Sequence, residues 1–233
     1  TCGCSGWRPF AVGSVMAVLA ISKKRRTSLR YETGNNPCIR LARPSRWNTS
    51  HAGSSMQNSL TFQAVFVGAD SLLMECAQLW LEQGHGIVSV VTETPRIQRW
   101  AEERGLPVLG LDAYVRVLRE RGTPFDYLFS ITHLAILPAE VLALPRTAAI
   151  NFHDGPLPRY AGLNTPVWAL WNREQSYGIS WHEISGEIDS GVILKQRLFE
   201  LSPDETSLSL NTRNFAAAIE SFGELVTDLG RGT

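Results

Sequence analysis

Beyond Leu60 the chain alternates short apolar runs with segments of helical spacing. Residues 62–67, from Phe62 to Val67, are mostly apolar and end at Gly68, the pattern of a buried strand. Asp70 or Ser71 then stands where a helix cap belongs. Leu72, Leu73, Cys76, Leu79 and Trp80 follow at helical intervals, and Gly84 can close that helix in a left-handed conformation. The same reading predicts a strand over 87–91, a polar helix over 96–104 closed by Gly105, and a short strand over 106–109. A helix over 112–121 closed by Gly122 and a fourth strand over 127–130 come next. Strands and helices alternating at this interval imply right-handed crossovers. The predicted fold class is therefore α/β: a Rossmann-like open, mostly parallel sheet with helices on both faces.

The pattern then loosens. Residues 133–138 are an apolar loop, 139–144 a helical turn, and 148–153 a strand with two polar residues near its carboxyl end. Residues 178–183 and 192–198 read as two further strands joined by a tight turn. Leu208, Phe215, Ile219, Phe222, Val226 and Leu229 mark one face of a final amphipathic helix.

Charge divides the chain in two. Residues 1–55 carry nine Lys or Arg against one acid, Glu32, whereas the whole chain of 233 residues has 22 of each sign. Residues 56–233 thus hold 13 basic and 21 acidic side chains. The acidic part speaks against nucleic-acid binding, which needs clustered Lys and Arg. The basic part, 1–55, is expected to be disordered, with a basic targeting or nucleic-acid tail as the sharper alternative. Met56, just before the first strand, stands as an alternative start for a domain over 56–233. The apolar run over 10–21 is too short to span a bilayer. The Lys23-Lys24-Arg25-Arg26 cluster follows that run rather than preceding it, unlike a signal peptide. Cys2 and Cys4 lack the second pair that a zinc site wants. Cys76, inside a helix, reads as a buried small hydrophobe. His51 and His85 read as solvated. Nothing in the cysteine usage requires an oxidising compartment, so the expected location is the cytoplasm, without a membrane partner.

The chemistry gathers late in the chain. Asn151 and His153 lie two apart on one strand, so both point to one face while Phe152 points to the other. They stand at the carboxyl end of a strand, where open parallel sheets bind ligands. An Asn amide and an imidazole aimed at one carbonyl oxygen make an oxyanion site, though such a pair also occurs as a purely structural contact. Asp189 lies in the loop Glu187-Ile188-Asp189-Ser190-Gly191 between two strands. Brought against His153, its carboxylate could orient the imidazole and accept a proton from an attacking amine. His182 reads equally as a site residue or a hydrogen-bonded structural one, and His133 could line the pocket mouth. Asp154 beside His153 is not a metal pair, because strand neighbours face opposite ways.

Three segments together resemble the folate-dependent formyltransferase family: Ala149 to His153, Pro156-Leu157-Pro158-Arg159-Tyr160-Ala161-Gly162, and Ile188-Asp189-Ser190-Gly191. The resemblance extends over about residues 62–229. It implies transfer of a formyl group from 10-formyltetrahydrofolate to an amine, without a metal. It also implies the roles: Asn151 and His153 polarise the formyl carbonyl and hold the oxyanion, and Asp189 sets the state of His153 and assists proton transfer. It assigns the folate ring to the apolar loop, Leu134, Ile136 and Leu137, facing Ser185, Gly186, Glu187 and Ile188. A flat heterocycle wants such apolar walls with a few backbone donors and acceptors. Ile136 and Leu137 would equally serve as core plugs.

Departures from the family pattern bear on the acceptor. Asp154-Gly155-Pro156-Leu157-Pro158 replaces the commoner Ser-Leu-Leu-Pro after the His. Residues 162–170 resemble formyltransferase domains of modular peptide synthetases, which act within secondary metabolism. Gly68-Ala69-Asp70-Ser71 stands where members that use a ribosyl-phosphate amine carry a Gly-rich phosphate loop, and Asp70 would repel phosphate. Members that use initiator transfer RNA add a basic C-terminal domain, and this sequence ends at Thr233. The expected acceptor is therefore an amino acid, free or held on a carrier, with adjacent synthetase or carrier domains as partners. A formyltetrahydrofolate hydrolase and a non-catalytic folate-binding module are the alternatives.

Overall fold

The computed structural model describes residues 61–232; the expectations for residues 1–55, His51 and Met56 lie outside them. The elements are β1 Gln63–Gly68, α1 Ser71–Glu82, β2 Gly86–Val91, α2 Pro95–Glu102, β3 Val108–Leu109, α3 Tyr114–Arg121 and β4 Tyr127–Ile131. They continue with α4 Ala139–Leu142, β5 Ala148–His153, α5 Thr165–Trp171, β6 Ser176–Glu183, β7 Ile193–Glu200 and α6 Ser207–Arg231. The seven strands form one sheet in the order β3-β2-β1-β4-β5-β6-β7. The first five strands are parallel; β6 runs antiparallel to β5, and β7 to β6.

The sheet is covered on both faces, and β1 shows why. Its residues 64–67 are fully buried, and they alternate. Ala64 and Phe66 join one core with Leu72, Leu73 and Trp80 of α1, Ile97 of α2 and Phe222 of α6. Val65 and Val67 join the other with Tyr114 and Leu118 of α3 and Val141 of α4. The two-residue period of a strand sends neighbours to opposite layers. Aromatic side chains fill the first core: Phe129 meets Phe66, Trp80 and Phe222 at centroid distances of 5.1–5.2 Å. Cys76 is buried in that core as a free thiol.

Local chemistry sets the ends. The Asp70 carboxylate accepts from the Ser71 amide at 2.5 Å and caps α1. A capping box of Thr206 and Ser209 opens α6. Gly84, Gly105 and Gly122 adopt the positive φ that ends α1, α2 and α3.

Four features depart from the sequence reading. β3 is only two residues long, because Leu106 donates back to Ala101 at the end of α2 and Pro107 has no N–H to give. Residues 165–171 form α5, a helix with Pro166 in its first turn. Residues 184–192 make a wide loop rather than a tight turn. His85 is buried: its Nδ1 accepts from the Phe62 amide at 3.3 Å and its ring lies 4.4 Å from that of Trp80. Burial lowers its pKa.

Candidate active site

The site lies where parallel strands give way to antiparallel ones. β4 and β5 end side by side, with Ser130 opposite Asn151, and β6 then runs back along β5 with His182 opposite Asn151. Ile150 and Phe152 of β5 point into the α1/α6 core and Ala149 into the other. Asn151 and His153 consequently share the second face, as their spacing predicts. Phe152 is held by Trp181 at 5.2 Å, which anchors the strand beneath the polar pair.

His153 is buried, 6% exposed. Its Nε2 lies 2.5 Å from the carbonyl oxygen of Tyr160. A carbonyl only accepts, so Nε2 carries a proton there. Its Nδ1 faces the Asp189 carboxylate, 3.7 Å from Oδ2. That same Oδ2 accepts from the Gly162 amide at 2.7 Å. The other carboxylate oxygen of Asp189 stands 3.7 Å from Nε2 of His182. The structure thus brings Asn151, His153 and Asp189 into one cluster.

The cluster includes His182, which sequence reasoning left open between two roles. Its Nδ1 donates to the Glu183 carbonyl at 2.9 Å. That leaves Nε2 as an acceptor for the Asn151 amide nitrogen, at 3.2 Å. Burial lowers the pKa of His182, against weaker upward pulls from the Glu183 carbonyl and Asp189. A neutral imidazole of this tautomer fixes the Asn151 amide, with Nδ2 toward His182 and its oxygen away from it. The cross-strand register carries this contact, and the seven-residue spacing from His182 to Asp189 does not disclose it.

The loop over 184–192 places Asp189. Ser185 Oγ and Ser190 Oγ lie 2.8 Å apart, and Ser190 also donates to the Glu187 carbonyl at 3.0 Å. Asp189 has φ 51°, a left-handed conformation that Asp tolerates better than most residues. A Cβ at Gly191 would sit 1.7 Å from the Glu183 carbonyl oxygen, so the loop closes only on glycine.

The two segments expected to hold the folate ring are rooted together. Leu137 is buried in the α3/α4 core, and Ile184 packs against that same core. From these roots Leu134, Ile136 and Ile188 project with 82%, 80% and 69% exposure. Ser185, Gly186 and Glu187 are exposed beside Ile188. Leu137 therefore offers the loop its backbone rather than its side chain. Thr132, at the end of β4, holds φ 53°, unusual for a β-branched residue, directly before half-buried His133. Burial lowers the pKa of His133. Asp154 accepts from Thr165 Oγ1 at 3.0 Å. Among the described residues no group of three His, Cys, Asp or Glu could hold a metal ion.

Residues 64–223 match the family model for formyl transferase. The chain belongs to that family. The methionyl-tRNA formyltransferase of Geobacter metallireducens is 29% identical over 184 residues, which cover 72% of this chain and 59% of that protein. The GDP-perosamine N-formyltransferase of Brucella melitensis is 30% identical over 115 residues, covering 48% of this chain and 44% of that one. The chain thus spans about three fifths or less of these relatives. Among solved structures, the phosphoribosylglycinamide formyltransferase from Anaplasma phagocytophilum superimposes with a TM-score of 0.64 at 22% identity, over 74% of this chain and 88% of that one. The formyltetrahydrofolate deformylase from Pseudomonas syringae pv. tomato gives 0.67 at 16% identity, over 75% and 63%. These likenesses carry the formyl transferase fold. No helix among the described residues is long and apolar enough to cross a membrane.

Proposed function

We propose that the chain transfers a formyl group from 10-formyltetrahydrofolate to the amino group of an amino acid, free or held on a carrier. The observation that carries this reading is the convergence of Asn151, His153 and Asp189 at the end of β5. Asn151, oriented by His182, presents an amide toward the formyl oxygen. His153 stands beside it with Nδ1 turned to Asp189. The Asn151 amide is a donor preset for the developing oxyanion, and His153 joins it once Nδ1 has taken a proton; donors placed in advance stabilise such charge without reorganising. The carboxylate of Asp189, set against His153 Nδ1, assists transfer of the proton that the attacking amine must lose, through His153 or through water. Leu134, Ile136 and Ile188 supply exposed apolar surface for the folate ring, and the backbone of residues 185–188 supplies polar groups for its edge. The site is thus read as holding the folate between these two loops.

The acceptor reading rests on the N-terminus of α1. The Asp70 carboxylate occupies it, where a phosphate-binding member would leave backbone amides free. A phosphorylated acceptor is disfavoured at that point.

Incubation with 10-formyltetrahydrofolate and a panel of amines, read by mass spectrometry, tests the proposal. The panel holds free amino acids, aminoacyl thioesters, a methionyl-tRNA and an amino-sugar nucleotide. A formylated amino acid or thioester is the expected product. Formylation of the tRNA or sugar alone overturns the acceptor reading. Formate without any formylated amine makes the protein a hydrolase, and bound folate without turnover makes it a binding module.

A further inference from the structure

The loop between β5 and α5 holds a polar clamp that the three proposed catalytic residues do not use. Glu174 follows α5, its amide bonded to the Ala169 carbonyl at 3.0 Å, and its side chain is 13% exposed. Its Oε1 accepts from the Tyr160 hydroxyl at 2.7 Å and from Arg159 Nη2 at 2.6 Å. The Asn172 amide donates to the same hydroxyl at 3.3 Å. The Tyr160 ring stands edge-on to fully buried Tyr177, with centroids 5.3 Å apart. Side chain and ring together leave the Tyr160 backbone little freedom. Its amide also closes a turn onto the Pro156 carbonyl at 3.1 Å.

The carbonyl of this held residue is the one that meets His153 Nε2. The approach needs glycine opposite it: a Cβ on Gly155 would lie 2.9 Å from the Tyr160 oxygen and 3.0 Å from His153 Nε2. One contact therefore fixes two things. It keeps the proton on Nε2, and it turns Nδ1 toward Asp189, 3.7 Å away.

We infer that Tyr160 and Glu174 are positioning residues for His153: their clamp holds the Tyr160 carbonyl on Nε2, so that Nδ1 is the nitrogen left to exchange a proton at the reacting group. The inference rests on the proposed formyl-transfer site, but the hydrogen bond it describes exists with or without turnover. Breaking the clamp lets the loop relax and frees Nε2, so the two tautomers of His153 mix. Any acceptor at position 174 that still holds the tyrosine hydroxyl preserves the tautomer.

The test uses the full chain labelled with 15N-histidine, and the variants Glu174→Ala, Glu174→Gln and Tyr160→Phe. In the neutral ring of the unsubstituted protein the expected His153 resonances place the proton on Nε2 rather than on Nδ1. Glu174→Ala moves them toward a tautomer mixture and lowers kcat about tenfold, with KM for the folate within twofold. Glu174→Gln restores both. Tyr160→Phe keeps the ring against Tyr177, so it folds, and it falls between the two. Identical His153 resonances in all four proteins overturn the inference, as does an equal loss of kcat in Glu174→Gln and Glu174→Ala. If no amine is formylated yet the resonances shift as stated, the clamp stands and the formyl-transfer reading fails.

Discussion

Asp189→Asn isolates charge from shape. Asn tolerates the left-handed backbone at position 189 (φ 51°), and its amide oxygen can still accept from Gly162. What disappears is the negative charge 3.7 Å from His153 Nδ1. Unit charges at that separation attract by about 4.5 kcal/mol at an effective dielectric of about 20, and by about 1 kcal/mol in water. The side chains are 6% and 11% exposed, which places the pair nearer the first figure. A loss of about 3 kcal/mol in the step that places positive charge on the imidazole is roughly two decades in rate. Single-turnover kinetics with saturating folate and amine measure it, and thermal melting supplies the control. The expected result is a kcat lowered about a hundredfold with a melting temperature near that of the unsubstituted protein. Near-normal kcat would show that the carboxylate charge plays no part. A rate loss matched by a fall in stability would show that Asp189 only closes the loop.

Other consequences follow from the same contacts. His182→Ala removes the acceptor that orients the Asn151 amide, and steady-state kcat should fall by about one decade, the scale of one net hydrogen bond of about 1.5 kcal/mol; an unchanged kcat would leave His182 a packing residue. Phe222→Ala empties the meeting point of Phe66, Phe129 and Trp181, and urea denaturation should show a loss of about 3–5 kcal/mol. Stability should also depend on pH in two separate windows. His85, His133 and His182 are held below the ordinary imidazole value of 6.5, chiefly by burial, so the folded chain binds fewer protons than the unfolded one. Their contribution is complete above about pH 6.5 and is lost as the pH falls below it. Glu205 is held below 4.5, first by its hydrogen bond from Ser209, so its contribution is lost only in stronger acid. A denaturation midpoint that stays flat from pH 7.5 to 5 would contradict the histidine window.

The sequence disclosed what local patterns write down. The buried run of β1, the spacing of Leu72, Leu73, Cys76 and Trp80, and the closing Gly84 all follow from periodicity and capping. The same logic placed Asn151 and His153 on one face. The misses have other causes: some depend on a partner distant in sequence, and others on local residues that break the pattern. His85, between Gly84 and Gly86, looks solvated until Phe62 and Trp80 close over it. α5 hides behind Gly162, Asn164 and Pro166, and Val167, Trp168 and Trp171 stay exposed, so its apolar spacing is not that of a buried face. His182 meets Asn151 only through strand register. The Tyr160 carbonyl has no side-chain signature at all, although Gly155 beside His153 marks where a backbone must come close.

The central claim is that Asn151 and His153 act together on the formyl group. Consumption of 10-formyltetrahydrofolate in the presence of the acceptor found by the panel, compared between the unsubstituted protein and Asn151→Ala and His153→Ala, tests it most directly. The account predicts that each substitution lowers the rate by two or more decades, roughly the loss of one oxyanion donor, while both proteins melt as folded chains. Turnover near that of the unsubstituted protein in both variants would contradict it.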